Sequence, residues 1–124
     1  MSKQIAQSVF DQVRENFVYT SDKEQYEVNE DWRSHVDEIK AGQVWRDDCD
    51  GFAASAMELA VEQGARAAIA YCKVETGGGH AVCLVWEGEG AWVIDNRQRF
   101  VCAWDELDYE WISANDGTGW KEIN

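Results

Sequence analysis

Apolar side chains recur at every fourth position near the start of the chain. Within residues 3–17 these positions are Ile5, Val9, Val13 and Phe17. Polar residues fill most of the positions between them, and this spacing places the apolar side chains on one face of a helix. The sequence therefore predicts an amphipathic helix over residues 3–17.

Two more helices are predicted in the first half of the chain. Residues 19–30 are polar and lack a helical stripe, so we expect a connecting loop, followed by a short helix over residues 31–40. A better-defined helix follows, because Asp48 or Asp50 can cap its first turn and Gly64 can end it. Its several alanines favour close packing against a sheet.

The pattern beyond the third helix is typical of strands. The strand-like segments are 66–75, 80–87, 91–96, 97–104 and 118–123. The first two are separated by Thr-Gly-Gly-Gly at 76–79, which suits an antiparallel hairpin, and both are apolar enough to be buried on two faces. Helices followed by strands predict an α+β fold.

Length and charge narrow the class of protein. The 124 residues, 45% of them hydrophobic, fit one domain over residues 1–124. The net charge of −13 disfavours nucleic acids and anionic membrane surfaces as partners. The first residues lack the apolar stretch of a signal peptide, and no run of about 18 apolar residues predicts a membrane span. We therefore expect a cytoplasmic protein that does not associate with membranes.

The four cysteines are Cys49, Cys72, Cys83 and Cys102. Because no export signal is evident, a reducing compartment is expected and the thiols should be free. The sequence has no Cys-x-x-Cys pair and only two histidines, which disfavours a structural zinc site.

Three residues together suggest nucleophilic catalysis. Cys49 falls in the first turn of the third helix, where free N–H groups and the helix dipole stabilise a thiolate. His80 opens a strand after three glycines, which should leave its ring accessible as a general base. Asp95 ends an apolar run that we expect beside the strand of His80, so its carboxylate can orient the ring. The order Cys49, His80, Asp95 predicts a catalytic triad.

Each of these residues also has a simpler interpretation. Cys49 can be a small core residue, His80 a surface residue at a strand end, and Asp95 a turn former beside Asn96. His35 is an alternative base, but its neighbours in the sequence are charged, which predicts a solvated helix face. The combination of the three residues favours the triad.

Two stretches of the chain resemble the bacterial transglutaminase-like cysteine proteinases. They are DWRSHVDEIKAGQVWRDDCDGFA and, after it, GGGHAVCLVWEGEGAWVIDN. In that family Asp-Cys-Glu/Asp, His-x-Val and Leu/Ile-Asp-Asn motifs occur in this order, and the resemblance covers about residues 19–96. It implies a papain-like, transglutaminase-like α+β fold in which N-terminal helices include the catalytic helix, packed on an antiparallel sheet. It also implies catalytic roles for Cys49, His80 and Asp95, and a role for Trp32 in oxyanion binding or in lining the cleft.

Acidic residues surround the predicted nucleophile. Asp47, Asp48 and Asp50 place negative charge beside Cys49, which disfavours a thiolate. Helix capping, a protonated His80, or a calcium ion held by Asp48 and Asp50 would offset this charge. Some members of the resembling family bind calcium through acidic residues beside the cysteine, but this chain has glycine at position 51, where members usually carry a further acid. The triad itself requires no cofactor.

The expected activity is hydrolysis of an amide in a peptide or protein substrate, through a Cys-His-Asp triad and an acyl-enzyme intermediate. The same triad is also compatible with transglutaminase-type acyl transfer or with an amidase, because the triad itself determines neither the acyl acceptor nor the substrate. A third hypothesis is a non-catalytic acidic module that binds a basic partner on the same fold.

Overall fold

The computed structural model describes residues 2–19 and 34–122. Its elements in chain order are α1 (Ser2–Glu15), β1 (Phe17–Tyr19), α2 (Val36–Lys40), β2 (Trp45–Asp47), α3 (Cys49–Glu62), β3 (Ala67–Lys73), β4 (Gly79–Glu87), β5 (Gly90–Ile94), β6 (Cys102–Ala103), β7 (Glu110–Asn115) and β8 (Trp120–Glu122). No helix within the described residues is long and apolar enough to cross a membrane.

The predicted first helix is confirmed as α1, with a buried face formed by Ala6, Val9, Phe10 and Val13. It ends two residues earlier than predicted, because Phe17 belongs to strand β1 instead. Strand β1 pairs in parallel with β2, which aligns Phe17 with Trp45. The sequence did not predict this pair, since three-residue strands are too short to show a period.

The second and third predicted helices are present as α2 and α3. Helix α2 begins at Val36, and most of the predicted loop and the start of the predicted helix, residues 20–33, lie outside the described residues. Helix α3 is capped by the Asp48 carboxylate, which accepts backbone hydrogen bonds from Asp50 and Gly51. After α3, Gly64 has a φ of +90°, a conformation that favours glycine.

The larger sheet of the described residues is antiparallel, in the order β6-β5-β4-β3-β7-β8. The predicted hairpin is confirmed, because β3 pairs with β4 and aligns Cys72 with His80. Strand β5 pairs with β4 on its other side. His80, at the start of β4, and Asp95, directly after β5, therefore lie on neighbouring strands.

The C-terminal half contains the largest differences from the sequence prediction. The strand expected at 97–104 is reduced to Cys102–Ala103, and the strand expected at 118–123 is Trp120–Glu122. Strand β7 was not predicted, yet it pairs with β3 in the interior of the sheet. Its place there depends on a partner about forty residues earlier in the chain, which local periodicity does not reveal.

The sheet is covered on both faces. On one face α1 and α3 contribute Val9, Phe10 and Phe52 to a core that also contains Val85 and Ile94. On the other face, buried residues of β3, β4 and β5 pack against side chains from the C-terminal segment, including Leu107, Tyr109 and Trp111. The α+β class is therefore confirmed, and the start of α3 lies against the strands that carry the predicted site.

Candidate active site

Cys49 is the first residue of α3 and packs against the beginning of β4. Its side chain contacts a small cluster of Ala53, Ile69 and Ala81. A backbone hydrogen bond from Ala81, the residue after His80, reaches the Cys49 sulfur. The thiol is therefore held beside the strand that carries the predicted base.

His80 is buried, with 7% of its side chain exposed. Its Nε2 donates a 2.7 Å hydrogen bond to Oδ1 of Asp95. The prediction that the preceding glycines leave the His80 ring accessible is therefore wrong, because Tyr109 packs edge-on against the ring at a centroid distance of 6.1 Å. With Nε2 bound to Asp95, Nδ1 is the ring nitrogen left to exchange a proton.

Asp95 is fully enclosed, with no side-chain exposure, so it is more than a surface turn former. Its Oδ1 also accepts the backbone N–H of Arg97 at 2.9 Å, and its Oδ2 accepts the hydroxyl of Tyr109 at 2.6 Å. Burial alone would raise the pKa of Asp95. The hydrogen bond and the charge of His80, and the hydrogen bonds from Tyr109 and the Arg97 backbone, outweigh burial and lower it. The carboxylate therefore stays ionised beside His80.

Tyr109 is the member of this network that sequence reasoning missed. Its hydroxyl accepts hydrogen bonds from Arg97 Nη1 and Gln98 Nε2, both at 3.2 Å, while donating to Asp95. Burial and the adjacent carboxylate raise the pKa of Tyr109 to about 12, so the hydroxyl remains a donor. No local motif marks this tyrosine, because its role depends on where the segment before β7 lies against the sheet.

A salt bridge extends the network to the loop that precedes His80. Arg97 Nη2 lies 2.8 Å from Oε2 of Glu75, which follows β3. Both side chains are partly exposed, so the pair itself contributes little stability. It links the residues after Asp95 to the start of the glycine-rich hairpin loop.

The Cys49 thiol is protonated in these surroundings. Burial, and next the charge of Asp50, raise the pKa of Cys49 to about 12, although the bond from Ala81 opposes this. The helix dipole was expected to stabilise a thiolate, but the Asp48 carboxylate already accepts the first-turn N–H groups of Asp50 and Gly51. The expectation of a pre-formed thiolate is therefore wrong for the free protein.

The structure brings together two members of the predicted triad by a direct hydrogen bond, His80 and Asp95. Within the described residues, the hydrogen bond that the Cys49 thiol donates goes to Oδ1 of Asp50, at 3.9 Å. Burial, followed by the charges of Asp48 and Asp47, raises the pKa of Asp50 to about 6. Trp32, the predicted oxyanion or cleft residue, lies outside the described residues.

The sequence predicted that His35 lies on a solvated helix face, and this prediction is wrong. Only 12% of its side chain is exposed, and its two ring nitrogens lie against the carboxylates of Glu38 and Asp47. Its ring also packs against buried Trp45, with ring planes 31° apart and centroids 4.9 Å apart. These contacts commit both ring nitrogens, so His35 is not available as the base for Cys49.

The residues around Cys49 do not by themselves form a calcium cage. One oxygen of Asp48 already accepts two backbone N–H groups, and both oxygens of Asp47 have partners. Across residues 2–19 and 34–122, no three His, Cys, Asp or Glu side chains are grouped to hold a metal. Asp48 and Asp50 thus fall short of the six to eight oxygen ligands that calcium prefers.

Comparison with known proteins identifies relatives of the whole chain. A family model described as "Bacterial transglutaminase-like cysteine proteinase BTLCP" matches residues 1–124. A search of curated proteins finds no match.

The fold is shared with solved structures of Legionella pneumophila LapG. One aligns with a TM-score of 0.77 and 18% sequence identity, covering 99% of this chain and 70% of that one. A calcium-bound LapG aligns with a TM-score of 0.78 and 18% identity, covering 99% and 70%. An EGTA-treated LapG aligns with a TM-score of 0.78 and 18% sequence identity, covering 100% of this chain and 68% of that one. The papain-like, transglutaminase-like fold predicted from the sequence is confirmed.

Proposed function

The chain belongs to the bacterial transglutaminase-like cysteine proteinase family, and we propose that Cys49, His80 and Asp95 are its catalytic triad. The proposed reaction is hydrolysis of an amide bond in a peptide or protein through an acyl-enzyme. The observation that supports it most is the buried 2.7 Å hydrogen bond between His80 Nε2 and Asp95. This bond orients the ring and leaves Nδ1 for the thiol.

The raised pKa of Cys49 determines how the first step proceeds. Because the resting thiol is protonated, His80 Nδ1 takes its proton as the sulfur attacks the substrate carbonyl carbon. The charge that develops on the ring is stabilised by the ionised Asp95. In this proposal the hydrogen bond between the thiol and the ring forms in the substrate complex, since catalytic hydrogen bonds are often long in free enzymes.

The remaining steps return that proton and release the products. The tetrahedral intermediate collapses as the imidazolium of His80 protonates the leaving amine, and a thioester to Cys49 remains. Water, deprotonated by His80, then attacks the thioester carbonyl, and the proton returns to the Cys49 sulfur as the acid leaves. Trp32, seventeen residues before Cys49, is the proposed oxyanion or cleft residue.

Tyr109 has a supporting role in this proposal. It binds the carboxylate oxygen of Asp95 that His80 does not use. Asp95 is thereby held from both sides, by His80 and the Arg97 backbone on Oδ1 and by Tyr109 on Oδ2. A carboxylate fixed in this way cannot rotate away from the ring, so the orientation of His80 is preserved through both proton transfers.

The test is selective modification of Cys49. All four cysteines are free, so iodoacetamide labelling followed by peptide mass analysis compares them within one sample. We expect the labelling of Cys49 to depend on His80, with a pH-dependent rate that falls in His80→Ala, whereas the labelling of Cys102 should not change in that variant. Cys102→Ala, which removes the other partly buried thiol, is the matched control. Equal and slow labelling of all four thiols would contradict the proposed triad.

Substrate turnover separates hydrolysis from its alternatives. A fluorogenic peptide library, assayed with and without an added primary amine, shows whether the acyl group passes to water or to the amine. Cys49→Ala should abolish either reaction. A basic partner bound equally by the native protein and by Cys49→Ala, with no turnover of any peptide, would favour the non-catalytic binding module.

A further inference from the structure

The ring of His35 lies between two carboxylates. Its Nε2 is 2.8 Å from Oδ2 of Asp47, and its Nδ1 is 2.9 Å from Oε1 of Glu38. A neutral imidazole carries a single N–H, so donation to both acceptors requires the imidazolium form. Trp45 covers one face of this ring. Both ring nitrogens of His35 are therefore held by carboxylates at the edge of the acidic segment that precedes Cys49.

The carboxylate that His35 binds lies over the first turn of α3. Oδ1 of Asp47 accepts the backbone N–H of Asp48 at 2.7 Å, and Asp48 caps the helix. A Cβ built on Gly51 would overlap the Asp47 carboxylate. The Asp47 side chain thus occupies the space in which a side chain at position 51, two residues after Cys49, would begin.

His35 also reaches α3 through its backbone. Its N–H donates a 2.9 Å hydrogen bond to Oγ of Ser55, which is fully buried. The Ser55 hydroxyl in turn donates to the backbone carbonyl of Gly51 at 2.8 Å. His35 therefore contacts the first turn of the helix by two routes, one through Asp47 and one through Ser55.

The charge of Asp47 acts on the residues around the thiol. It contributes to the raised pKa of both Asp48 and Asp50, on either side of Cys49. A carboxylate paired with an imidazolium disturbs its neighbours less than an unpaired one, because the two charges partly cancel at a distance. Around His35, the charged groups in contact are Glu38 from α2 and Asp47 from the end of β2.

We propose that His35 is a positioning residue for Cys49. Its imidazolium holds the Asp47 carboxylate over the first turn of α3 and supplies, from the chain itself, the positive charge that this acidic turn needs. The role rests on the proposed function of Cys49 as nucleophile. In this proposal a side chain neutralises part of the negative charge around Cys49, as a bound cation would otherwise do.

A double-mutant cycle tests the charge role. His35→Gln leaves the Asp47 charge unpaired, and we expect the rate of Cys49 alkylation at neutral pH to fall about fivefold. His35→Gln/Asp47→Asn removes both charges and should return the rate to within about twofold of the native value. With a cleaved peptide, the single variant should lower kcat more than it changes KM. A double variant as slow as the single one would overturn the proposal.

Two further variants test the geometry if His35→Gln does not fold. Gly51→Ala should lower the melting temperature, since its Cβ overlaps Asp47, and Gly51→Ala/Asp47→Gly should recover most of the loss. Gly78→Ala is the control, because this glycine has no positive φ and its added Cβ would meet only Thr76 Oγ1, at 3.9 Å. Failure of the pair to recover stability would contradict the placement of Asp47.

Failure of this proposal and failure of the proposed triad give different results. Alkylation of Cys49 needs no turnover, so the His35 cycle is informative even if no peptide is cleaved. If His80→Ala leaves labelling unchanged while the His35 cycle behaves as expected, the triad is wrong and the role of His35 stands. If only His80→Ala slows labelling, the triad stands and the role of His35 is wrong.

Discussion

The hydroxyl of Tyr109 donates a 2.6 Å hydrogen bond to Oδ2 of Asp95, whose Oδ1 binds His80 at 2.7 Å. The two residues come from different parts of the chain, and the buried carboxylate connects them. If Asp95 orients the base, the donor that fixes Asp95 should affect catalysis although it does not reach the thiol.

Tyr109→Phe should lower kcat about tenfold with little change in KM, because it removes a hydrogen bond to a buried ionised carboxylate while keeping the ring. Steady-state kinetics on a cleaved peptide measures both constants, and the pH dependence of Cys49 alkylation should shift as well. Thr118→Val is the control, since it removes an exposed hydroxyl bonded to Asp116. Equal kinetics for Tyr109→Phe and the native protein would exclude a role for the hydroxyl.

Asp50→Asn should make Cys49 more reactive. Asp50 is the largest charge contribution to the raised pKa of the thiol, so its neutral isostere should increase the alkylation rate at neutral pH by about three- to tenfold. Asp37→Asn, which removes one exposed charge from α2, is the control. An unchanged rate in Asp50→Asn would mean that burial alone keeps the thiol protonated.

The same carboxyl should make stability depend on pH. The folded pKa of Asp50 is about 6, above its ordinary value of 3.8, so the folded state binds more protons between these values. Its contribution to stability is therefore neutral at low pH and becomes unfavourable as pH rises from about 4 to about 6. Asp50→Asn should thus be more stable than the native protein at pH 7, by about 1 kcal/mol after allowance for solvent screening. Denaturant titrations should show the difference disappearing below about pH 4.

Ser55→Ala should destabilise the protein by about 1–3 kcal/mol, because it removes a buried hydroxyl that bonds the His35 backbone and the Gly51 carbonyl. Urea denaturation measures the change. Ser8→Ala is the matched control on a helix, where the serine hydroxyl is exposed. A loss no larger than that of the control would show that water replaces both bonds.

Calcium should have little effect on this chain. The Asp47 carboxylate already pairs with His35, and one oxygen of Asp48 caps helix α3, so both carboxylates have partners within the chain. We therefore expect the melting temperature and the Cys49 alkylation rate to be the same in EGTA and in millimolar calcium. An increase in melting temperature with calcium that is lost in Asp48→Asn would instead support the site at Asp48 and Asp50.

Much of the fold could be predicted because its signals are local. The four-residue spacing of α1, the Asp48 cap before α3 and the glycine loop between β3 and β4 each lie within about fifteen residues. Hydrophobic periods and capping groups act over that distance, so the sequence indicates them directly. The expectation that consecutive strands are neighbours, together with the family resemblance, suggested that Cys49, His80 and Asp95 lie close together.

The rest depended on contacts between distant segments. The pairing of β1 with β2 and of β7 with β3 joins strands about thirty to forty residues apart, and no local period selects those partners. The same packing buries His80 under Tyr109 and encloses His35 between Asp47 and Glu38. Sequence patterns therefore indicated the candidate residues for the proposed triad. Long-range packing raised the pKa of Cys49 and lowered that of Asp95, because burial and the nearest hydrogen-bond and charged partners control a side chain's pKa.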